Sequence, residues 1–266
     1  MPDWIGYRLS LQLASPVHCG WRTVGNLKQT RPFVPGPAIW GALASRLARD
    51  FLNQDYHQAE KAVDDQLRFT YLYPSDPAHP RMLWPWDMDQ SEFDWTYLHS
   101  YMSTALVGGH TSRDGSLHEI EYIAPITRDG NPVYLSGYVW RQEAFPEDRL
   151  LRLWSTVQLG GERTYGFGRV AKAELNLITD PIFGCYAVEP EVVLTSEDSQ
   201  PIFAHVETHS EIPAMSKVRV EPLVGRRIDP AGRFRLSAAQ AAYCPGTYGP
   251  PGAKWQIGPR GLWSAV

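Results

Sequence analysis

The sequence predicts an α+β fold, and three observations predict it. Residues 4–13 alternate, with Ile5, Tyr7, Leu9, Leu11 and Leu13 against Gly6, Arg8, Ser10 and Gln12, the period of a half-buried strand. Ile39, Leu43, Leu47 and Phe51 recur every four residues behind Pro37, the opening and spacing of a helix laid on a core. A second helix is expected over 147–159. It starts on Pro146-Glu-Asp, places Leu150, Leu151, Trp154 and Val157 at helical spacing, and meets Gly160 as a C-terminal cap. With 266 residues, 43% hydrophobic and 20% charged, the chain can bury a sizeable core.

The remaining elements follow in order. After the first strand, residues 18–31 form a loop with Arg22, Lys28 and Arg31 and no acid; the whole stretch 14–39 holds none. On the first helix Arg46 and Arg49 fall off the apolar stripe. Residues 55–65 are polar and continue helically, and Phe69–Tyr73 reads as a short aromatic strand. Residues 74–100, rich in Pro, Trp and Asp, read as an irregular insertion. Asp114-Gly115 signals a turn from which Leu117–Ile123 leaves as a strand, so a projecting hairpin is expected, carrying His110 and Arg113. Asp129-Gly130 is another turn, followed by strands over 132–140 and, beyond the second helix, from Val170 to Ile178. The order is ferredoxin-like, βαββαβ, a fold whose open sheet face carries RNA in RRM domains. The expected division is a domain over 1–178 with an insertion at 74–130. A Pro- and Gly-rich β extension over 179–266, with strands at 189–194 and 201–206, packs on that core or on a neighbour.

The stretch from Leu159 to Val170 carries the functional signal. Gly160, Gly161, Gly166 and Gly168 interleave with Arg163, Thr164, Tyr165, Phe167 and Arg169. Glycine permits close backbone approach, exposed amides cradle phosphates, arginine forks bind them, and an aromatic face stacks on a base. No Gly-Lys-Ser/Thr is present, and the glycines lie between a helix and a strand, so neither the Walker nor the dinucleotide pattern applies. A ligand-free helix-to-strand turn accounts for the glycines equally well.

The net charge of −4 and the pI near 6.1 argue against an autonomous, salt-driven nucleic-acid binder. Basic strips completed by neighbouring subunits reconcile that charge with RNA. The most basic strip is Lys217–Arg235, with six cations against two acids. Cys19, Cys185 and Cys244 are odd in number and far apart, which indicates neither a disulfide framework nor a zinc site and fits a reducing cytoplasm. No apolar run reaches membrane-spanning length, and no signal-peptide pattern is present. His99, His110 and His118 lack metal-ligand spacing, and no cofactor is called for.

Three segments resemble the RAMP proteins of CRISPR systems. Phe33-Val-Pro-Gly-Pro-Ala-Ile-Trp-Gly-Ala-Leu resembles that family's Pro-Gly helix entry. Thr111 to Tyr122 resembles its thumb-like segment, and Leu159 to Val170 its glycine-rich loop. The resemblance covers residues 4–178. It implies a crRNA-binding, non-catalytic subunit of an antiviral type III effector ribonucleoprotein. The implied partners are crRNA, target RNA and other effector subunits, with no membrane. The implied RNA contacts are Arg22, Lys28, Arg31, Gly36, Arg46, Arg49, His110 and Arg113, together with Gly160, Gly161, Arg163, Thr164, Tyr165, Gly166, Phe167, Gly168 and Arg169. Type III subunits that cut RNA carry an aspartate before the Pro-Gly entry, and the acid-free stretch 14–39 lacks it. Two alternatives stand beside this reading. One is a metal-independent RAMP-type pre-crRNA endoribonuclease with His18 as general acid/base. The other is a nucleotide- or small-molecule-binding enzyme that uses the glycine loop.

Overall fold

The computed structural model describes residues 4–76, 89–208, 215–228, 234–236 and 239–266. Strand β1 (Trp4–Leu13) is followed by the hairpin β2 (Gly20–Val24) and β3 (Leu27–Thr30). Helices α1 (Gly36–Phe51) and α2 (Tyr56–Gln66) lead into the short strands β4 (Leu67–Phe69) and β5 (Tyr73–Ser75). Helix α3 (Gln90–Tyr97) runs directly into β6 (Leu98–Ser103), then come β7 (Leu106–Val107), β8 (Thr111–Ser112) and β9 (His118–Ile123). Strand β10 (Tyr134–Gln142), helix α4 (Glu147–Thr156) and β11 (Val170–Leu177) follow.

The central sheet has the order β11-β1-β10-β4, with β5 also paired to β10. Its pairings are antiparallel, Leu9 facing Gly137 on one side and Leu175 on the other. This is the expected βαββαβ arrangement. Leu9 and Leu11 point to the helical side, where Ile39, Leu43 and Leu47 of α1 and Leu150, Leu153 and Trp154 of α4 bury them in one core. Apolar alternation in β1 and the four-residue stripe in α1 therefore specify the same interface from its two sides.

Several elements differ from the sequence expectation, each for a local reason. Helix α4 stops at Thr156: Ser155 and Thr156 hydroxyls donate back to the Leu151 and Arg152 carbonyls, and Val157 and Leu159 turn inward to burial. Residues 56–66 are a separate helix, because Asn53 and Gln54 take positive φ and the Asp55 side chain caps the new start at Gln58 N. The Phe69–Tyr73 strand breaks into two pieces where the chain crosses Gly137, whose added Cβ would sit 2.7 Å from the Tyr71 carbonyl oxygen. Helix α3 and β6 lie in the stretch read as irregular, with Asp89 capping Ser91 N and Glu92 N; residues 77–88 fall outside the described set. The expected turn at Asp114-Gly115 is present, Gly115 at φ +69°, and β9 leaves it; the tip of the projection adds a second turn at Gly108-Gly109, both at positive φ, between β7 and β8. Behind that tip β6 pairs with β9, and β3 joins β9 in parallel, giving a second sheet in the order β2-β3-β9-β6.

The C-terminal part adds β12 (Ala187–Glu189), β13 (Val193–Thr195), β14 (Val206–Glu207), β15 (Val220–Leu223), β16 (Arg226–Ile228) and β17 (Phe234–Leu236). Strands β18 (Gln240–Tyr243), β19 (Lys254–Ile257) and β20 (Trp263–Ala265) complete it. Glu191 and Val192 take positive φ, so 189–194 is not one strand: a turn over 190–192 joins the end of β12 to the start of β13. Of 201–206, Val206 alone enters a strand. Ile182, Tyr186, Trp255 and Trp263 share a second core with Tyr73, Tyr138 and Trp140 from the central sheet and with Tyr71 from the link between β4 and β5. Tyr138 and Trp140 pair with Arg8 and Gly6, on the face opposite the helices. The face expected to lie open, as in an RRM, is thus filled by the tail over its β10 half. The β1–β11 half retains a cavity of 310 Å³ lined by Arg8, Ser10, Tyr138, Glu174, Asn176 and Asp180.

Candidate nucleic-acid interface

The glycine-rich loop has a neck and a rim. At the neck, Leu159 N donates to the Gly168 carbonyl at 2.9 Å, and Gln158 bridges to Arg169. Gly168 sits at φ +84°, where an added Cβ would lie 2.0 Å from the Leu159 carbonyl oxygen. Gly160, at φ +74°, would place a Cβ 2.4 Å from the His18 carbonyl oxygen. Gly161 N donates to that same carbonyl at 2.8 Å, Gly168 N to Pro16 O at 2.7 Å, and Arg169 N to Ser15 Oγ at 2.9 Å. The neck is therefore fastened along residues 15–18. Phe167 is 8% exposed and meets the Tyr122 ring edge-on at 5.5 Å, so it is a packing residue and offers no stacking face. His18 is 7% exposed, with Nδ1 2.6 Å from the Glu121 carbonyl oxygen, so its ring is fixed beneath the loop.

The rim is the single 3-10 turn Arg163–Tyr165, entered through Glu162 at φ +53°. Arg163, Thr164, Tyr165 and Arg169 are exposed, Tyr165 at 59%. Arg163 Nε donates to Gly160 O at 3.0 Å. Burial of part of its guanidinium, then the nearby Arg49 charge, lowers the Arg163 pKa, yet the group stays cationic. Among the described residues Arg49, Arg163 and Arg169 form no ion pair. The amides of Gly161, Tyr165, Gly166, Gly168 and Arg169 already donate within the chain. Any anion is therefore held by side chains rather than by a cradle of these amides.

The acid-free stretch acquires its acids from elsewhere in the fold. Lys28 Nζ lies 3.1 Å from Glu162 Oε1, and Arg31 lies 2.5 Å from Glu221 Oε1 with 15% of its side chain exposed. Thr30 N donates to Glu121 Oε2 at 2.9 Å; burial nonetheless raises the Glu121 pKa. Arg22 donates to Gln29 and lies 4.3 Å over the Trp21 ring. The two remaining positions near the Pro-Gly entry are committed internally. Arg46 pairs with Asp50 at 2.8 Å, and Gly36 is buried where a Cβ would lie 1.9 Å from the Arg260 carbonyl oxygen. Gly36 thus admits the chain's own tail. His110 is exposed on the turn of the β7–β8 hairpin and Arg113 is exposed just after β8. Lys217 covers the Tyr248 ring, while the side chains of Arg226, Arg227, Arg233 and Arg235 lie outside the described set.

One cluster escaped the sequence reading altogether. His205, Glu221 and Cys244, far apart in the chain, bring one donor atom each to within 4.8 Å of one another. Burial lowers the His205 pKa, and burial raises the Cys244 thiol to about 11. Burial also pushes Glu221 upward, but hydrogen bonds from His205 and Arg31 outweigh it and bring that carboxyl down to about 2.

The model of the RAMP superfamily matches residues 10–171, more than half of the chain, and the chain belongs to that superfamily. A solved chain similar in fold belongs to the cryo-EM structure of the type III-B Cmr-beta bound to cognate target RNA and AMPPnP, state 1. The match has a TM-score of 0.56 at 13% identity, covering 91% of this chain and 85% of that one. No curated protein matches the sequence. Among the described residues no helix is long and apolar enough to cross a membrane.

Proposed function

We propose that this RAMP superfamily chain is a non-cutting, crRNA-binding subunit of a cytoplasmic type III CRISPR effector complex, and that it holds RNA phosphates at the rim of its glycine-rich loop. The observation that carries the reading is the rim itself. Arg163 and Arg169 stand without carboxylate partners among the described residues, with an exposed Tyr165, on a turn whose neck is fastened to the core, and the equally unpaired Arg49 of α1 lies near enough to act on the Arg163 charge. Arginine forks and an aromatic face are the chemistry that grips a single-stranded backbone. The fold-level likeness to a chain of a type III-B assembly bound to target RNA supports the same direction. Residues 1–178 act as the RNA-binding domain, and 179–266 brace its sheet.

The non-cutting part rests on what surrounds the loop. No acid lies in 14–39, and the acids delivered there from elsewhere are engaged, Glu162 by Lys28 and Glu121 by Thr30 N. His18 is buried under the neck. The isolated chain is expected to leave RNA intact; reproducible cleavage abolished by His18→Ala would install the endoribonuclease reading instead.

The net charge of −4 sets how the RNA is shared. Counterion release scales with phosphates neutralised, so the lone chain should bind weakly and the assembled complex should hold RNA through moderate salt. The test is a salt titration of RNA retention by the complex carrying Arg163→Ala and Arg169→Ala. Weaker retention with a salt slope smaller by about 2 is expected. Unchanged retention across the titration would overturn the proposal.

A further inference from the structure

The C-terminal sheet, in the order β14-β18-β15 at one end, brings three candidate ligands to one side of the tail. His205 precedes β14, Glu221 lies on β15, and Cys244 follows β18. The pairings Val206 with Tyr243 and Val220 with Tyr243 set the ends of the three strands side by side. His205 Nε2 or Nδ1, a Glu221 oxygen and Cys244 Sγ lie within 4.8 Å of one another. We propose that His205, Glu221 and Cys244 form a zinc site, with the fourth position left to water.

Two features beyond the trio point to a ligand. First, two of the donors are already oriented by neighbours. Tyr71 Oη is 2.7 Å from His205 Nδ1, which leaves Nε2 directed at the cluster, and Arg31 and His205 Nε2 both meet Glu221 Oε1 at 2.5 Å, which leaves Oε2 available. An oriented imidazole and a carboxylate fixed by a charged hydrogen-bond partner are what outer partners supply in zinc sites. Second, His205 has no exposed surface, so its ring cannot swing away to solvent. Imidazole, carboxylate and thiolate together select zinc over magnesium or calcium, which favour all-oxygen sets.

The geometry is within reach. Tetrahedral zinc spaces nitrogen, oxygen and sulfur ligands about 3.4–3.6 Å apart. His205 Nε2 and Glu221 Oε1 now share a hydrogen bond at 2.5 Å, so that pair opens to admit the ion, with Cys244 Sγ within 4.8 Å of both donors. The proton balance is simple. The neutral imidazole shifts its N–H from Nε2 to Nδ1, where it donates to Tyr71, and the Cys244 thiol loses one proton to solvent. Two anionic ligands then neutralise the ion, with Arg31 remaining as the outer partner of Glu221.

The site does not rest on the RNA reading, and its test is separate. Full-length chain purified without chelator should contain about one zinc per chain by elemental analysis. After exchange with cobalt(II) alone, it should show thiolate-to-cobalt charge-transfer absorption in the near ultraviolet. Cys244→Ser should abolish that absorption and the zinc, with circular dichroism reporting that the chain stays folded. His205→Gln should do the same, while Cys185→Ser and the Arg163→Ala/Arg169→Ala pair should retain both. A folded chain that binds neither metal, or metal content indifferent to Cys244→Ser, overturns the proposal and leaves the trio as a hydrogen-bonded network.

Discussion

The neck and the rim of the glycine-rich loop are separated by a few residues and answer to different physics. At the neck, Gly160 and Gly168 combine positive φ with backbone atoms closer than any side chain tolerates, and neighbouring amides are spent on residues 15–18. At the rim, Gly166 has the same positive φ, but the nearest atom to an added Cβ is an Arg169 guanidinium nitrogen at 4.0 Å. Glycine density in a sequence therefore mixes two requirements, internal closure and freedom to meet a partner. The aromatic pair divides in the same way: Phe167 is a core residue and Tyr165 stands in solvent.

The comparison can be broken by substitution. The largest effect is expected from Gly168→Ala, which must displace the Leu159 carbonyl as well as strain the backbone. A loss of about 4 kcal/mol or more in urea unfolding is expected, from the mechanisms that produce the extreme values for single substitutions. A neck that tolerated alanine would mean that its closure is not required. Phe167→Ala comes next, at about 3 kcal/mol of fold stability for removal of a buried ring. If it instead left stability intact and weakened RNA retention, the division between neck and rim would fail.

At the rim the readout changes from stability to binding. Arg163→Ala with Arg169→Ala should cost the complex roughly tenfold or more in RNA affinity at moderate salt, with an unaltered melting temperature. Tyr165→Ala should cost about 1–3 kcal/mol of RNA binding, the range for a stacked base, again without destabilising the chain; filter binding beside thermal denaturation would show either departure. The smallest effect belongs to Gly166→Ala, which meets open space and bears only the left-handed backbone cost of about 1 kcal/mol. Equal destabilisation by Gly166→Ala and Gly168→Ala would erase the distinction from which these expectations come.

Periodicity made the fold legible. The alternation of 4–13 and the stripe through Ile39, Leu43, Leu47 and Phe51 are local patterns with one low-energy way to be buried, so β1, α1 and the order around them could be read directly. Boundaries were less legible, because they depend on side chains reaching back to the backbone, as at Ser155, Thr156 and Asp55. The loop's composition marked the candidate interface, yet not which of its glycines and aromatics face outward.

The sequence alone determined that Arg163, Thr164, Tyr165 and Arg169 would sit together on a glycine-rich turn between a helix and a strand, because contiguity in the chain guarantees it. Everything that depends on distant partners was left to tertiary structure. It assigned Glu162 to Lys28 and Glu221 to Arg31 across a stretch that has no acid of its own. It placed the Arg260 carbonyl against Gly36, laid the tail over the sheet face that carries RNA in RRM domains, and gathered His205, Glu221 and Cys244. The physical reason is common to all of them. Ion pairs, backbone contacts and ligand clusters act over a few ångströms, and which residues come that close is fixed by how the two cores pack, which no spacing along the chain encodes.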